Sequence, residues 1–249
     1  VYKRQIQWSG YTWYVKSSGS GALGPGLNVF LDSEENVFVD EDGFLHLRIT
    51  YLNGIWRCSE IVSVKSFGYG VYEFELDGDF ALDRTVVLGL FTWEDGVYGK
   101  NREIDIEFSR WGDPLNHNGQ YVVQPWQESE NMYRFEMPLD FPTIHRFNWT
   151  PESINFQSVI TPFHWLKKDD IIAEWTYKGD DIPAEGRENV RLNLWIMDGF
   201  DQPSNGETQE VVIKSFKFGS EGKIPGDINE DGIVDLDDFS ILASNWLVE

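Results

Sequence analysis

Apolar and polar residues alternate with a period of two along most of this chain, in short runs stopped by Gly, Asp or Asn. That period belongs to a β-strand with one buried face, because successive side chains on a strand point to opposite sides. The runs fall at residues 36–40, 44–51, 55–66, 69–76, 86–93, 103–108, 120–126, 145–149, 154–159, 190–195 and 211–218. Asp42-Gly43 and Asn53-Gly54 separate consecutive runs as hairpin turns, since both residue types tolerate positive φ. Helical periodicity is nearly absent before residue 226. Strands joined without intervening helices pair antiparallel, which predicts an all-β fold of two stacked antiparallel sheets in a sandwich or jelly roll.

Composition narrows the function. Hydrophobic residues make up 41% of the 249, enough for a packed core. No apolar run approaches the ~20 residues of a membrane helix, and the opening VYKRQIQWSG lacks the pattern of a signal peptide. The formal net charge is −22, from 20 basic and 42 acidic residues. Such a surface repels phosphate backbones and anionic lipid, so nucleic-acid binding and membrane insertion are not expected, and a neutral ligand suits it better than a polyanion. Eleven tryptophans are available to stack on sugar rings as well as to fill a core. The one cysteine, Cys58, excludes an intrachain disulfide and reads as a small core hydrophobe. The four histidines show no metal-ligand spacing.

The chemistry concentrates in Glu103-Ile104-Asp105-Ile106-Glu107. On a strand the three acids share one face and the isoleucines the other. A solvated strand face could alternate in this way, but three adjacent carboxylates repel one another and nothing within the run neutralises them. Residues i and i+4 on a strand have Cα atoms roughly 13 Å apart. Two glutamate arms leaning inward close that to near the ~5–5.5 Å used in retaining glycoside hydrolysis. Mutual repulsion raises the pKa of one acid, making it a proton donor, while its hydrogen-bonded partner stays ionised as nucleophile.

The run Glu-Ile-Asp-Ile-Glu-Phe resembles the signature of glycoside hydrolase family 16, in the form found in licheninases and xyloglucan-active members. Further blocks resemble the same family in order. They are Arg57-Cys58-Ser59-Glu60 through Glu73, Leu90-Phe91-Thr92-Trp93, His145-Arg146-Phe147-Asn148-Trp149-Thr150-Pro151, and Ile182-Pro183-Ala184 followed by Leu192-Asn193-Leu194-Trp195. The resemblance covers roughly residues 30–218. It implies a concanavalin-like β-jelly-roll with an open cleft. It further implies Glu103 as nucleophile, Glu107 as general acid/base and Asp105 as the assisting residue. Trp195 matches a cleft-lining tryptophan, and Gln124 and Trp126 fall on a strand that contributes sugar contacts. Trp93, Trp111 and Glu73 are expected beside them. The chain departs from the licheninase pattern at Asn101, Glu75 and Ser109-Arg110-Trp111-Gly112-Asp113, and at Lys214, where the jelly-roll calcium takes an acidic ligand.

After residue 219 the character changes. Residues 220–226 read as a linker between a jelly-roll domain over 1–219 and a tail over 227–249. In the tail, Asp227, Asn229, Asp231, Asp235 and Asp238 occupy positions 1, 3, 5, 9 and 12 of a twelve-residue loop. Gly232 stands at the turn and Ile233 is placed to donate its carbonyl, the ligand spacing of an EF-hand-type calcium loop. Leu236, Phe239, Leu242 and Trp246 follow at helical spacing. The tail resembles one repeat of a dockerin, which implies structural calcium, a cohesin-like or cell-surface partner, and a secreted prokaryotic setting. Two functions stand at this level. One is an endo-acting retaining hydrolase of a β-1,3/1,4-linked glucan or a related polysaccharide, needing no cofactor for catalysis. The other is a non-catalytic glycan-binding or structural cell-surface module.

Overall fold

The computed structural model describes residues 2–19, 21–78, 81–97, 101–138, 140–161, 170–220 and 240. It is an all-β jelly roll of two antiparallel sheets. The first runs edge to edge as β1 (Tyr2–Trp8), β2 (Tyr11–Lys16), β6 (Ser59–Ser66), β15 (Asn189–Ile196), β8 (Val86–Trp93), β9 (Ile104–Phe108), β10 (Gly119–Val123) and β11 (Met132–Phe135). The second runs as β14 (Ile171–Tyr177), β13 (Ile154–Ile160), β12 (Thr143–Trp149), β7 (Gly70–Leu76), β16 (Gln209–Ser220), β4 (Leu45–Leu52) and β3 (Val37–Val39), with β5 (Ile55–Arg57) paired to β4. A 3₁₀ turn, Ser129–Asn131, leads into β11.

The alternating apolar residues of both sheets meet in one core. Aromatic rings bridge the layers: Trp13 of β2 meets Phe216 of β16 edge-on at 5.5 Å, and Tyr121 of β10 stacks on Phe156 of β13 at 4.8 Å. Offset and edge-on geometries of this kind add to the area each ring buries. The layer between the sheets also holds polar groups. The Tyr121 hydroxyl donates to Ser158 Oγ, and His145 bonds Ser158 Oγ and Thr143 Oγ1 at 2.7 and 2.8 Å. These bonds meet the requirement that buried polar atoms find partners.

Asn53 and Gly54 both take positive φ, 51° and 82°, as a tight hairpin between β4 and β5 demands. Residues 55–66, expected as one strand, are two. Cys58 interrupts them, donating its backbone N–H to Val29 O, and passes the chain from the second sheet to the first. The 120–126 run stops at Val123, because Pro125 has no N–H for a ladder. The first hairpin, β1 and β2, was not expected, although Ser9 and Gly10 mark its turn with φ of 52° and 77°. Strands β11 and β14 were also missed. The calcium-loop residues Asp227, Asn229, Asp231, Ile233, Asp235 and Asp238 lie outside the described residues, as does the linker from residue 221 on.

Burial pushes His145 down to about 3, so the native state holds it neutral. Its folded value lies below the ordinary ~6.5. Its contribution is therefore complete above that pH and is lost as pH falls toward 3, by up to about 1.4 kcal/mol per pH unit. Urea unfolding at pH 7 and pH 5 should show the wild type losing more stability than His145→Gln. Equal losses would exclude this histidine as an acid-sensitive element.

Candidate active site

Strand β9 is held by its apolar face. Ile104, Ile106 and Phe108 are at most 1% exposed in the core. Period-two geometry then turns Asp105 and Glu107 to the other face of the first sheet, with Glu103 just ahead of the strand. All three line a cleft of about 520 Å³ whose wall and floor also carry Trp93, Trp195, Phe91, Arg191 and Asn193.

Cross-strand register places the partners. One row runs Arg134, Gln120, Glu107, Gly89, Asn193, Glu60 across β11, β10, β9, β8, β15 and β6. A second runs Val122, Asp105, Phe91, Arg191, Val62. Gln120 Nε2 donates to Glu107 Oε2 at 2.6 Å, and Gln124 Nε2 donates to Asp105 Oδ2 at 3.1 Å. Gly89 lies between Glu107 and Asn193. A Cβ there would stand 2.6 Å from Asn193 Oδ1, so glycine keeps this part of the cleft open.

Burial raises the pKa of all three acids from their ordinary values. The Glu107 charge adds to the rise at Glu103, and both glutamates add to it at Asp105. A hydrogen bond between Asp105 and Glu103 favours the charged form of Glu103 and the neutral form of Asp105. Gln120 and the Arg134 charge work against the rise at Glu107. Three acids that share protons in this way are equipped to donate a proton and to present a carboxylate at the same pH.

Beyond Asn193 lies a buried ionic cluster. Lys16 Nζ donates to Glu60 Oε2 and to Gly24 O, both at 2.7 Å, and Arg191 Nη2 reaches Asp95 Oδ2 at 2.7 Å. Glu60 Oε1, Arg191 Nε and Asn193 Oδ1 are buried without a hydrogen-bond partner. All three residues line the cleft, and polar side chains there suit a ligand rich in hydroxyl groups. Sequence reasoning missed Lys16, Glu60, Gln120, Arg191 and Asn193 as site residues. Glu60 and Asn193 each alternate with core residues in blocks already singled out, and that alternation was the available signal.

The other expected residues divide. Trp93 and Trp195 line the cleft, and Gln124 holds Asp105. Trp126 is 56% exposed beside Gln124 and does not line the cavity; its N–H donates to Gln124 Oε1. Trp111 lies in the loop after β9, against Arg134 and outside the cavity lining. Glu73 is a correction. It sits on β7 of the second sheet between core residues Tyr72 and Phe74, so it faces away from the core, where it meets Lys217 at 3.3 Å and Arg146 at 4.0 Å.

The fold so defined is that of glucanase-type glycoside hydrolases. A β-glucanase of Bacillus licheniformis superposes with a TM-score of 0.58 at 20% identity, covering 84% of this chain and 92% of that one. A β-1,3-1,4-glucanase (lichenase) from a mouse hindgut metagenome gives 0.59 at 22%, covering 83% and 92%. An immunostimulatory antigen and pseudo β-1,3-glucanase of Mycobacterium tuberculosis gives 0.63 at 19%, covering 84% and 91%. No family model and no curated protein matches the chain.

A carboxylate whose pKa is raised by folding contributes stability below its unfolded value and loses it as pH rises. Asp105→Asn removes such a group, so it should stabilise the protein by on the order of 1 kcal/mol near neutrality. Melting temperatures at pH 5 and pH 8 check this: the gain should be larger at pH 8. A destabilised variant at both pH values would mean that the triad is not an electrostatic burden on the fold.

Proposed function

We propose that this protein is an endo-acting retaining glycoside hydrolase of a β-1,3/1,4-linked glucan or a related β-linked polysaccharide. The observation that carries the reading is the grouping of Glu103, Asp105 and Glu107 in a cleft walled by Trp93 and Trp195. The names of the structural neighbours support a polysaccharide substrate, and the net charge of −22 favours a neutral one.

In the first step Glu103 forms an ester bond to the anomeric carbon as the glycosidic C–O bond breaks, and Glu107 gives its proton to the departing oxygen. In the second, water attacks the same carbon, Glu107 takes the water's proton, and the ester bond to Glu103 breaks. Asp105, hydrogen-bonded to Glu103 and held by Gln124, steadies the nucleophile. The aromatic walls stack on sugar rings, and the polar side chains of Glu60, Arg191 and Asn193 that line the cleft meet hydroxyl groups. Calcium at residues 227–238, a cohesin-like or cell-surface partner and a secreted setting complete the reading, on the spacing of the tail alone.

One observation favours a non-catalytic glycan-binding module: a neighbour of the same fold is described as a pseudo β-1,3-glucanase. Reducing-sugar release from mixed-linkage glucan, laminarin, xyloglucan and galactan separates the two readings. The hydrolase predicts release from one of them by wild type and a fall of at least about a thousandfold in kcat for Glu103→Gln. No release on any of the four, with both proteins folded, would leave the binding module.

A further inference from the structure

Trp111 and Arg134 do not line the cleft, yet they are joined to it. Arg134 lies on the edge strand β11, two strands from β9, in register with Gln120 and through it with Glu107. Its Nε donates to Gln120 Oε1 at 3.1 Å, and Gln120 Nε2 donates to Glu107 Oε2 at 2.6 Å. An amide presents an oxygen at one end and an NH₂ at the other, while a guanidinium can only donate. With its oxygen held by Arg134, the Gln120 amide has to turn its NH₂ toward Glu107. Released from Arg134, the same amide could rotate and set its oxygen against the carboxylate.

The arginine is itself held in place. Its guanidinium lies over the Trp111 ring, 4.5 Å from the centroid, although Arg134 sits at an exposed edge position. Trp111 takes a φ of 46°, in the left-handed region, where a bulky residue is strained by roughly 1–2 kcal/mol. Its N–H donates to Ser109 Oγ at 3.0 Å. Among the described residues no carboxylate comes within ion-pair distance of Arg134, whereas nearby Glu136 pairs with Arg110 at 2.7 Å and His117 at 3.6 Å. In a chain with 42 acidic residues, this cation is directed at the Gln120–Glu107 pair.

We propose that Trp111 and Arg134 are positioning residues that lock the Gln120 amide as a donor to Glu107 and so govern when Glu107 gives up and takes back its proton. The proposal rests on the reading of Glu107 as the acid/base. Burial opposes its ionisation; Glu103 and Asp105 are the acids on its own segment, and Gly89, across from it on β8, carries no charge. Gln120 on β10 and Arg134 on β11 favour ionisation. Lys16, Glu60, Arg191 and Asp95 form a separate ionic cluster on the far side of the cleft. The Trp111–Arg134 arm thus lets one group act as an acid in the first step and as a base in the second.

The test is a carbon-13 NMR titration of glutamate carboxyls in wild type and Arg134→Met, with the Glu107 signal identified by its loss in Glu107→Gln. The Glu107 midpoint should rise by about half a pH unit or more in Arg134→Met. It should rise less in Trp111→Ala, which leaves the charge but removes its shelf, and Arg134→Lys should bring it part of the way back. Should Arg134→Met not fold, Arg134→Gln carries the same expectation. In a pH profile of glucan cleavage the alkaline limb should move with the midpoint. A purely structural arm would lower activity at every pH and leave the midpoint in place, and an unmoved midpoint in the folded variant overturns the proposal. The titration needs no turnover, so a wild type that cleaves nothing would refute the hydrolase reading while the midpoint still decides this one.

Discussion

Everything at the cleft depends on how β9 is anchored. Ile104, Ile106 and Phe108 cannot leave the core without exposing large apolar surfaces, at about 25 cal/mol for each Å² returned to water. Because a strand alternates strictly, that anchorage drives Asp105 and Glu107 to the cleft face whatever their mutual repulsion costs. A sheet whose core face is weaker here could relieve the repulsion by slipping one residue. This one holds its acids together because the apolar face outweighs them.

The repulsion is contained by neighbours supplied from other strands. Gln120 and Gln124 each give an N–H to a carboxylate, and Gly89 leaves space beside Glu107. Farther along, the Glu60 carboxylate is buried against two cations, Lys16 and Arg191. Buried charge of this kind is weakly stabilising at best, and in that sense the site works against the stability of its own fold. Polar groups held in place beforehand are also what a reaction with developing charge requires, since they need not reorganise as it proceeds.

Much of the fold was legible in the sequence, because period-two alternation and turn residues are local signals. The strands that were missed, β1, β2, β11 and β14, are all at or next to sheet edges, where mixed exposure blurs the alternation. The break at Cys58 was invisible for another reason: alternation continues across it while the chain changes sheets. At the site, the triad, Trp93 and Trp195 came together in one cleft, with Gln124 against Asp105. Glu73 did not join them. It shares a sequence block with Glu60 but lies on β7, and nothing local says which sheet a strand will join.

The sequence by itself determined that the chain would fold into antiparallel sheets and that three carboxylates would share one strand face. Both follow from side chains alternating along a single extended backbone. Only the tertiary structure decided which side chains those carboxylates would meet. The row from Arg134 through Gln120, Glu107, Gly89 and Asn193 to Glu60 joins residues up to 133 positions apart in the chain. Their adjacency is a matter of strand order and register, which are set by how the whole core packs and by no local run of residues.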